Sequence, residues 1–167
     1  MEQCIGLDMG YRFIKVDNGR DGYTFPSVVG ESTTEPPMSL GFRKVPITED
    51  LRVSINGKNY FLGALAIRHS VIAHRGLSVT RTEGDDLKVL FLSTLSLYCH
   101  ESLNRFYVVT GLPPGRMHMA KDMIHHLQSE HEIIRQTGGK RETFNIRLDG
   151  IEVVPQPIST YWSTVTG

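Results

Sequence analysis

The stretch Ile5-Gly-Leu-Asp-Met-Gly-Tyr-Arg-Phe-Ile-Lys15 constrains the fold of this chain more than any other. Cys4, Ile5 and Leu7 lead into it, and Phe13, Ile14 and Val16 close it; these are bulky and β-branched types that suit strands. The pattern predicts two strands joined by a glycine-containing turn, with Asp8 at the end of a buried strand. Gly6 and Gly10 let backbone come close to another group, and turn amides that follow an aspartate form a concavity able to accept a phosphate. A divalent ion would bring that anion and Asp8 together. Magnesium suits the task, because it keeps several waters and needs only one or two carboxylates besides phosphate oxygens. An ordinary hairpin with a polar turn also accounts for Asp-x-Gly alone. Lys15 shifts the balance, since the returning strand carries it back toward the same place as a point charge on a flexible stem.

The chain has 167 residues, 40% hydrophobic and 22% charged, enough for one domain with a substantial core. Its 18 acidic and 18 basic residues cancel, so no global field argues for nucleic acid or an anionic membrane as a direct partner. The longest apolar run, Val89 to Cys99, is too short to span a bilayer. Cys4 in the first strand and Cys99 in a long apolar helix read as buried thiols of a reducing compartment. A soluble, cytoplasmic protein is expected.

Asp17 to Gly22 is rich in turn formers and leads into Tyr23-Thr-Phe25, so three antiparallel strands open the chain. Pro26 confines the next segment to a strand edge or a turn. Residues 32–46, with Pro36, Pro37 and Pro46, read as a surface loop. Leu51 to Ile55, Asn56-Gly57 and Lys58 to Leu62 spell a hairpin, and Gly63 to Ile67 begins a short helix. Arg68 to Arg81 looks irregular. Thr82 is an N-cap for a long helix whose apolar residues occupy more than one stripe, which predicts cover on more than one side. Phe106-Tyr-Val-Val-Thr110 fits a central parallel strand.

Gly111-Leu-Pro-Pro-Gly115 ends that strand and leads into a helix from Arg116 to His131, with Met119, Met123, Ile124 and Leu127 on one stripe. His118, Asp122 and His126 recur at helical spacing and His125 and His131 lie nearby. With no third ligand at a suitable spacing, a solvated face is the better reading than a metal site. Ile133 to Ile134, Thr143 to Leu148 and Ile151 to Val154 read as strands, with Gly138-Gly139 and Asp149-Gly150 as turns. Pro155 onward looks like the start of a helix. A Walker phosphate loop and a Gly-x-Ser-x-Gly elbow are both absent.

Asp8, Gly10 and Lys15 together resemble the first phosphate loop of the actin, heat-shock chaperone and sugar kinase superfamily of ATPases. The order of elements is similar to the first domain of that superfamily: an α/β, ribonuclease H-like, five-stranded mixed sheet with helices on its faces. Phe25-Pro-Ser-Val-Val-Gly30, Val108-Val-Thr-Gly-Leu-Pro113 and Val153-Val-Pro-Gln-Pro157 narrow the resemblance to bacterial and archaeal actin-like proteins of the ParM type. That resemblance implies ATP with Mg2+ as cofactor and Asp8 holding the metal through water. It implies phosphate contacts from the turn Gly10, Tyr11, Arg12 and Phe13, and Lys15 near the β- and γ-phosphates. Gln156 matches the position that orients the attacking water, a role suited to phosphoryl transfer, which depends on positioning. Arg12 departs from the small or amide residue often found at its place.

The resemblance further implies filaments formed with ATP, and plasmid DNA as cargo through a DNA-binding adaptor protein. Members of the family are much longer chains, with a second phosphate loop and an adenosine pocket in a following domain. Residues 1–167 are therefore read as a single N-terminal domain with a loop and small hairpin inserted at about 32–82, from either a cut-down piece or a truncated gene product. Hydrolysis is expected of the full-length protein and not of this chain alone. Two other readings stand beside this one: half of a chaperone- or sugar-kinase-like ATPase, and a non-catalytic module that caps a full-length homologue.

Overall fold

The computed structural model describes residues 2–10, 12–32, 46–69, 73–75, 85–112, 114–137 and 139–155. Its opening segments behave as their apolar alternation requires. β1 (Glu2–Met9), β2 (Phe13–Asp17) and β3 (Gly22–Pro26) pair antiparallel in sequence, with Met9 opposite Ile14 and Phe13 opposite Pro26. β3 is the edge of the sheet, where the missing amide of Pro26 costs no ladder bond. After a bend at Ser27 come β4 (Val28–Ser32), a 3-10 turn at Ile47–Glu49, and the hairpin of β5 (Arg52–Ile55) and β6 (Lys58–Leu62). Asn56 at φ 53° and Gly57 at φ 77° supply the left-handed pair that this two-residue turn needs.

Next come α1 (Ala64–His69), the short strand β7 (Ala73–Arg75) and α2 (Asp85–Ser96). β8 (Leu103–Leu112) then lies between β1 and the last strand, parallel to both, as its apolar run predicts. A 3-10 turn (Pro114–Met119) runs into α3 (Ala120–Leu127), followed by β9 (Glu130–Thr137) and β10 (Lys140–Pro155).

The sheet is larger than the five strands expected. Its order is β3-β2-β1-β8-β10-β9-β5-β6-β4-β7, ten strands, of which the first five are the predicted mixed layer. The inserted hairpin is not an appendage: β5 pairs antiparallel with β9 through Arg52, Val53 and Ser54, and β6 carries the ladder on to β4. β7, in the stretch expected to be irregular, pairs with β4. The loop read at residues 32–46 lies mostly outside the described residues, as does the N-cap Thr82.

α2 explains why the sheet extends this way. Every residue from Val89 to Cys99 is buried, and α2 packs against β10, β9 and β4. β10 and β4 are four strands apart in the sheet, so α2 bridges its two parts. Leu90, Phe91, Leu92 and Leu95 are buried in one core with Ile5, Leu7, Phe106, Val108, Ile146, Met123 and Leu127.

The alternate positions of the same strands face away from that core. Phe13, Leu103, Tyr107 and Val109 are exposed there, Tyr107 and Val109 although they belong to the apolar run of the central strand. Cys4 is exposed as well, since it alternates with Ile5 and Leu7; only Cys99 is the buried thiol expected of both.

One turn and one helix differ from expectation. Asp149-Gly150 is not a turn but a bulge, across which β10 keeps its pairing with β8. A side chain at Gly150 would stand 2.4 Å from the Tyr107 ring, so only glycine lets that ring lie on the strand. The helix read from Arg116 to His131 begins as a 3-10 turn and ends at Leu127. His131 instead enters β9, buried, with Nε2 3.0 Å from the Leu127 carbonyl.

Candidate phosphate-binding turn

The site builds up from register. Asp8 on β1 stands opposite Lys15 on β2 and beside Gly111 on β8, which pairs in turn with Val154 on β10. Directly opposed residues of an antiparallel pair have Cβ atoms about 4.5–5.5 Å apart. The carboxylate and the ammonium stem therefore share one face of the sheet, the face away from the core. Asp8 is half-buried and Lys15 exposed. The carboxyl ends of the parallel strands β1, β8 and β10 meet here, the place where open α/β sheets receive ligands.

The turn itself is short. The Gly10 N–H donates to the Phe13 carbonyl at 3.1 Å. A Cβ at Gly10 would lie 2.8 Å from that same oxygen, so a close backbone approach, not an unusual φ, demands glycine. Its amide is thus committed inside the turn, a correction to the expectation that Gly10 offers its N–H to phosphate. The amides beyond it, toward Phe13, remain the candidate donors. Tyr11 lies outside the described residues, and Arg12 and Phe13 are both exposed at the tip. The Arg12 carbonyl accepts a hydrogen bond from the Ser27 N–H at 2.8 Å. Gln156 also lies outside the described residues; Pro155 before it sits opposite Leu112, at the same end of the sheet as Asp8.

The residues present fit a magnesium ion that arrives with its phosphate. One carboxylate stands at the turn beside a lysine, and among the described residues no three His, Cys, Asp or Glu side chains gather to hold a metal by themselves. Magnesium bound through one carboxylate, water and phosphate oxygens needs no such cage. On α3, the His126 ring turns to its own helix, with Nδ1 2.7 Å from the Asp122 carbonyl, and packs edge-on against His125.

Sequence reading missed two participants. Gly111 flanks Asp8 and Ser27 holds the turn, whereas Thr110, paired with Leu7 on the core face, lies outside the site and buries a hydroxyl that has no hydrogen-bond partner within the described residues. The motifs Phe25-Pro-Ser-Val-Val-Gly30 and Val108-Val-Thr-Gly-Leu-Pro113 contained both Ser27 and Gly111, but only strand pairing brings them to the Asp8 end of β1. A second charged cluster lies along the same face. Arg105 reaches Asp149 with Nε at 2.8 Å, and Arg147 adds a contact at 3.3 Å. A hydrogen bond between Glu2 and Asp149 raises the pKa of Glu2 and lowers that of Asp149. These contacts pin the bulge and lie away from the turn.

A mixed sheet with a parallel centre, opened by a hairpin that sets a carboxylate against a lysine at the strand ends, defines a ribonuclease H-like α/β domain with a candidate phosphate turn. The chain belongs to the actin-like proteins: the family model for their N-terminal domain matches residues 6–158. Among solved structures, it is similar to the apo psk41 ParM protein (22% identity, TM-score 0.69, covering 93% of this chain and 50% of that one). It is also similar to ParM from Clostridium botulinum in a 15-stranded filament (24%, TM-score 0.72, 92% and 47%). An archaeal actin homologue in complex with ADP matches with 15% identity and a TM-score of 0.72, over 98% of this chain and 47% of that one. At these identities the likeness establishes the fold, and the chain spans about half the length of each of these proteins. No curated protein matches it.

Proposed function

We propose that this chain is the N-terminal half of an actin-like ATPase that forms filaments with ATP and Mg2+ in the cytoplasm and serves in plasmid or DNA segregation. The observation that carries the nucleotide reading is the register pair Asp8–Lys15 behind a turn closed by Gly10, at the carboxyl ends of β1, β8 and β10. In this reading Asp8 holds magnesium through water, the amides between Gly10 and Phe13 face the phosphates, and Lys15 neutralises charge on the β- and γ-phosphates. Gln156 orients the attacking water. The filament reading draws support from a ParM of the same fold solved as a filament, and the nucleotide reading from an archaeal actin homologue of that fold solved with ADP. The formal net charge of zero is consistent with meeting DNA through an adaptor protein.

Sedimentation of the native gene product, purified from its own host, tests the proposal. With Mg-ATP it should pellet and release phosphate, and Lys15→Ala should do neither. Nucleotide binding without pelleting would favour a chaperone- or kinase-like ATPase. No nucleotide binding at all would favour a non-catalytic module.

A further inference from the structure

Ser27 sits where two parts of the sheet meet. It follows Pro26, the last residue of β3, which stands opposite Phe13 and has no N–H to give. The Ser27 N–H is therefore the first donor past the end of that ladder, and it takes the Arg12 carbonyl at 2.8 Å. The residue is buried, so water is a poor replacement for this donor. One residue on, the Val28 carbonyl accepts the Gly63 N–H at 2.8 Å. Gly63, at φ 62°, lies against the buried Phe25 ring, where a Cβ would be 3.4 Å from it. Two backbone hydrogen bonds across one bend thus tie the tip of the β1–β2 turn to the corner between β6 and α1.

In a trans peptide the C=O and the following N–H point in opposite directions. Drawing the Arg12 carbonyl outward to Ser27 turns the Phe13 N–H to the β1 side, where the Gly10 N–H meets the Phe13 carbonyl. The same bond withdraws a negative carbonyl end from any anion held there. We propose that the Ser27 backbone N–H is a positioning group for the phosphate turn, and that through the Ser27–Val28 bend it couples occupancy of the turn to the β4–β6 part of the sheet. This rests on the reading of the turn as a phosphate site.

The test uses the 15N-labelled chain titrated with Mg-ATP. Ser27→Ala keeps the amide and should shift the Arg12 and Phe13 amide signals at the same Mg-ATP concentration as the wild type. Ser27→Pro removes the donor and should require roughly five- to tenfold more Mg-ATP, the order expected for one neutral hydrogen bond. In the wild type, Mg-ATP should slow hydrogen exchange at the Ser27 and Gly63 amides, a readout that stands even where Ser27→Pro fails to fold. A folded Ser27→Pro with wild-type affinity, or unaltered exchange at Ser27 while the turn amides shift, overturns the positioning role and leaves the phosphate site standing. Equal weakening by Ser27→Ala overturns the assignment to the amide and places the effect in the buried hydroxyl. No shift at Arg12 or Phe13 overturns the phosphate reading, and the coupling with it.

Discussion

Replacing Gly10 by alanine strikes the turn at its tightest point. The added Cβ would stand 2.8 Å from the Phe13 carbonyl oxygen, a backbone atom that moves only if β2 moves. Relief of the clash stretches the hydrogen bond of 3.1 Å from Gly10 N–H to that same oxygen. Loss of the bond costs about 1 kcal/mol, and a steric insertion of this kind costs a further 1–3 kcal/mol or so. A total of about 2–4 kcal/mol corresponds to a fall in Tm of about 4–16 °C for a chain of this size. The Lys15 ammonium should also lose its register with Asp8, so Mg-ATP affinity should fall together with Tm. Calorimetric melting checks the first effect. Gly115→Ala is the control, because a Cβ there meets nothing within 4 Å among the described residues; its Tm should stay level or rise slightly. A Gly10→Ala protein that melts within a degree of wild type would refute the reasoning about the turn.

Three further outcomes follow from buried groups. Thr110→Val exchanges a buried hydroxyl without a partner among the described residues for a methyl of similar size, and should raise stability by about 1 kcal/mol in denaturant unfolding; a clear loss would mean that the hydroxyl is bonded. Cys4 is exposed, whereas burial pushes the Cys99 thiol up to about 12, so a thiol reagent should label one cysteine in the native protein and both in denaturant. Prompt native labelling of Cys99 would contradict the core packing. Burial lowers the His131 pKa below 6.5, against a smaller opposing effect of its hydrogen bond to Leu127. The unfolded chain then binds the proton more readily, so His131 costs nothing above about pH 6.5 and destabilises the fold progressively below it. Denaturant midpoints of wild type and His131→Gln should run parallel above that pH and converge as it falls; parallel curves down to pH 5 would contradict this.

Much of the fold was legible because local rules and the global arrangement agree. The alternation in β1 and β2, the Asn56-Gly57 turn and the apolar run of β8 each state their role within a few residues. The sheet beyond β10 was not legible, because the pairing of Val53 with Arg135 joins segments with no local sign of each other. Asp149-Gly150 carries turn chemistry, and only the Tyr107 ring on Gly150 and two arginines on Asp149 make it a bulge. His131 continues the helical spacing, yet its ring folds back on the Leu127 carbonyl at the end of α3. The site divides in the same way. Asp8, Gly10 and Lys15 follow from one hairpin, whereas Ser27 and Gly111 reach the turn only through pairing between strands.

The central claim is that the turn from Gly10 to Lys15 takes a nucleotide phosphate, and amide-resolved NMR titration of this chain with Mg-ATP tests it most directly. The residues in hand form one wall of a site, and exposed ionic contacts are typically worth about 1 kcal/mol or less each. A few of them correspond to a dissociation constant of about 1 mM. The predicted result is millimolar binding with shifts centred on Arg12, Phe13 and Lys15, abolished by Asp8→Ala and by Lys15→Ala while both variants stay folded. Shifts confined to another part of the sheet, or binding that survives both substitutions, would contradict the account.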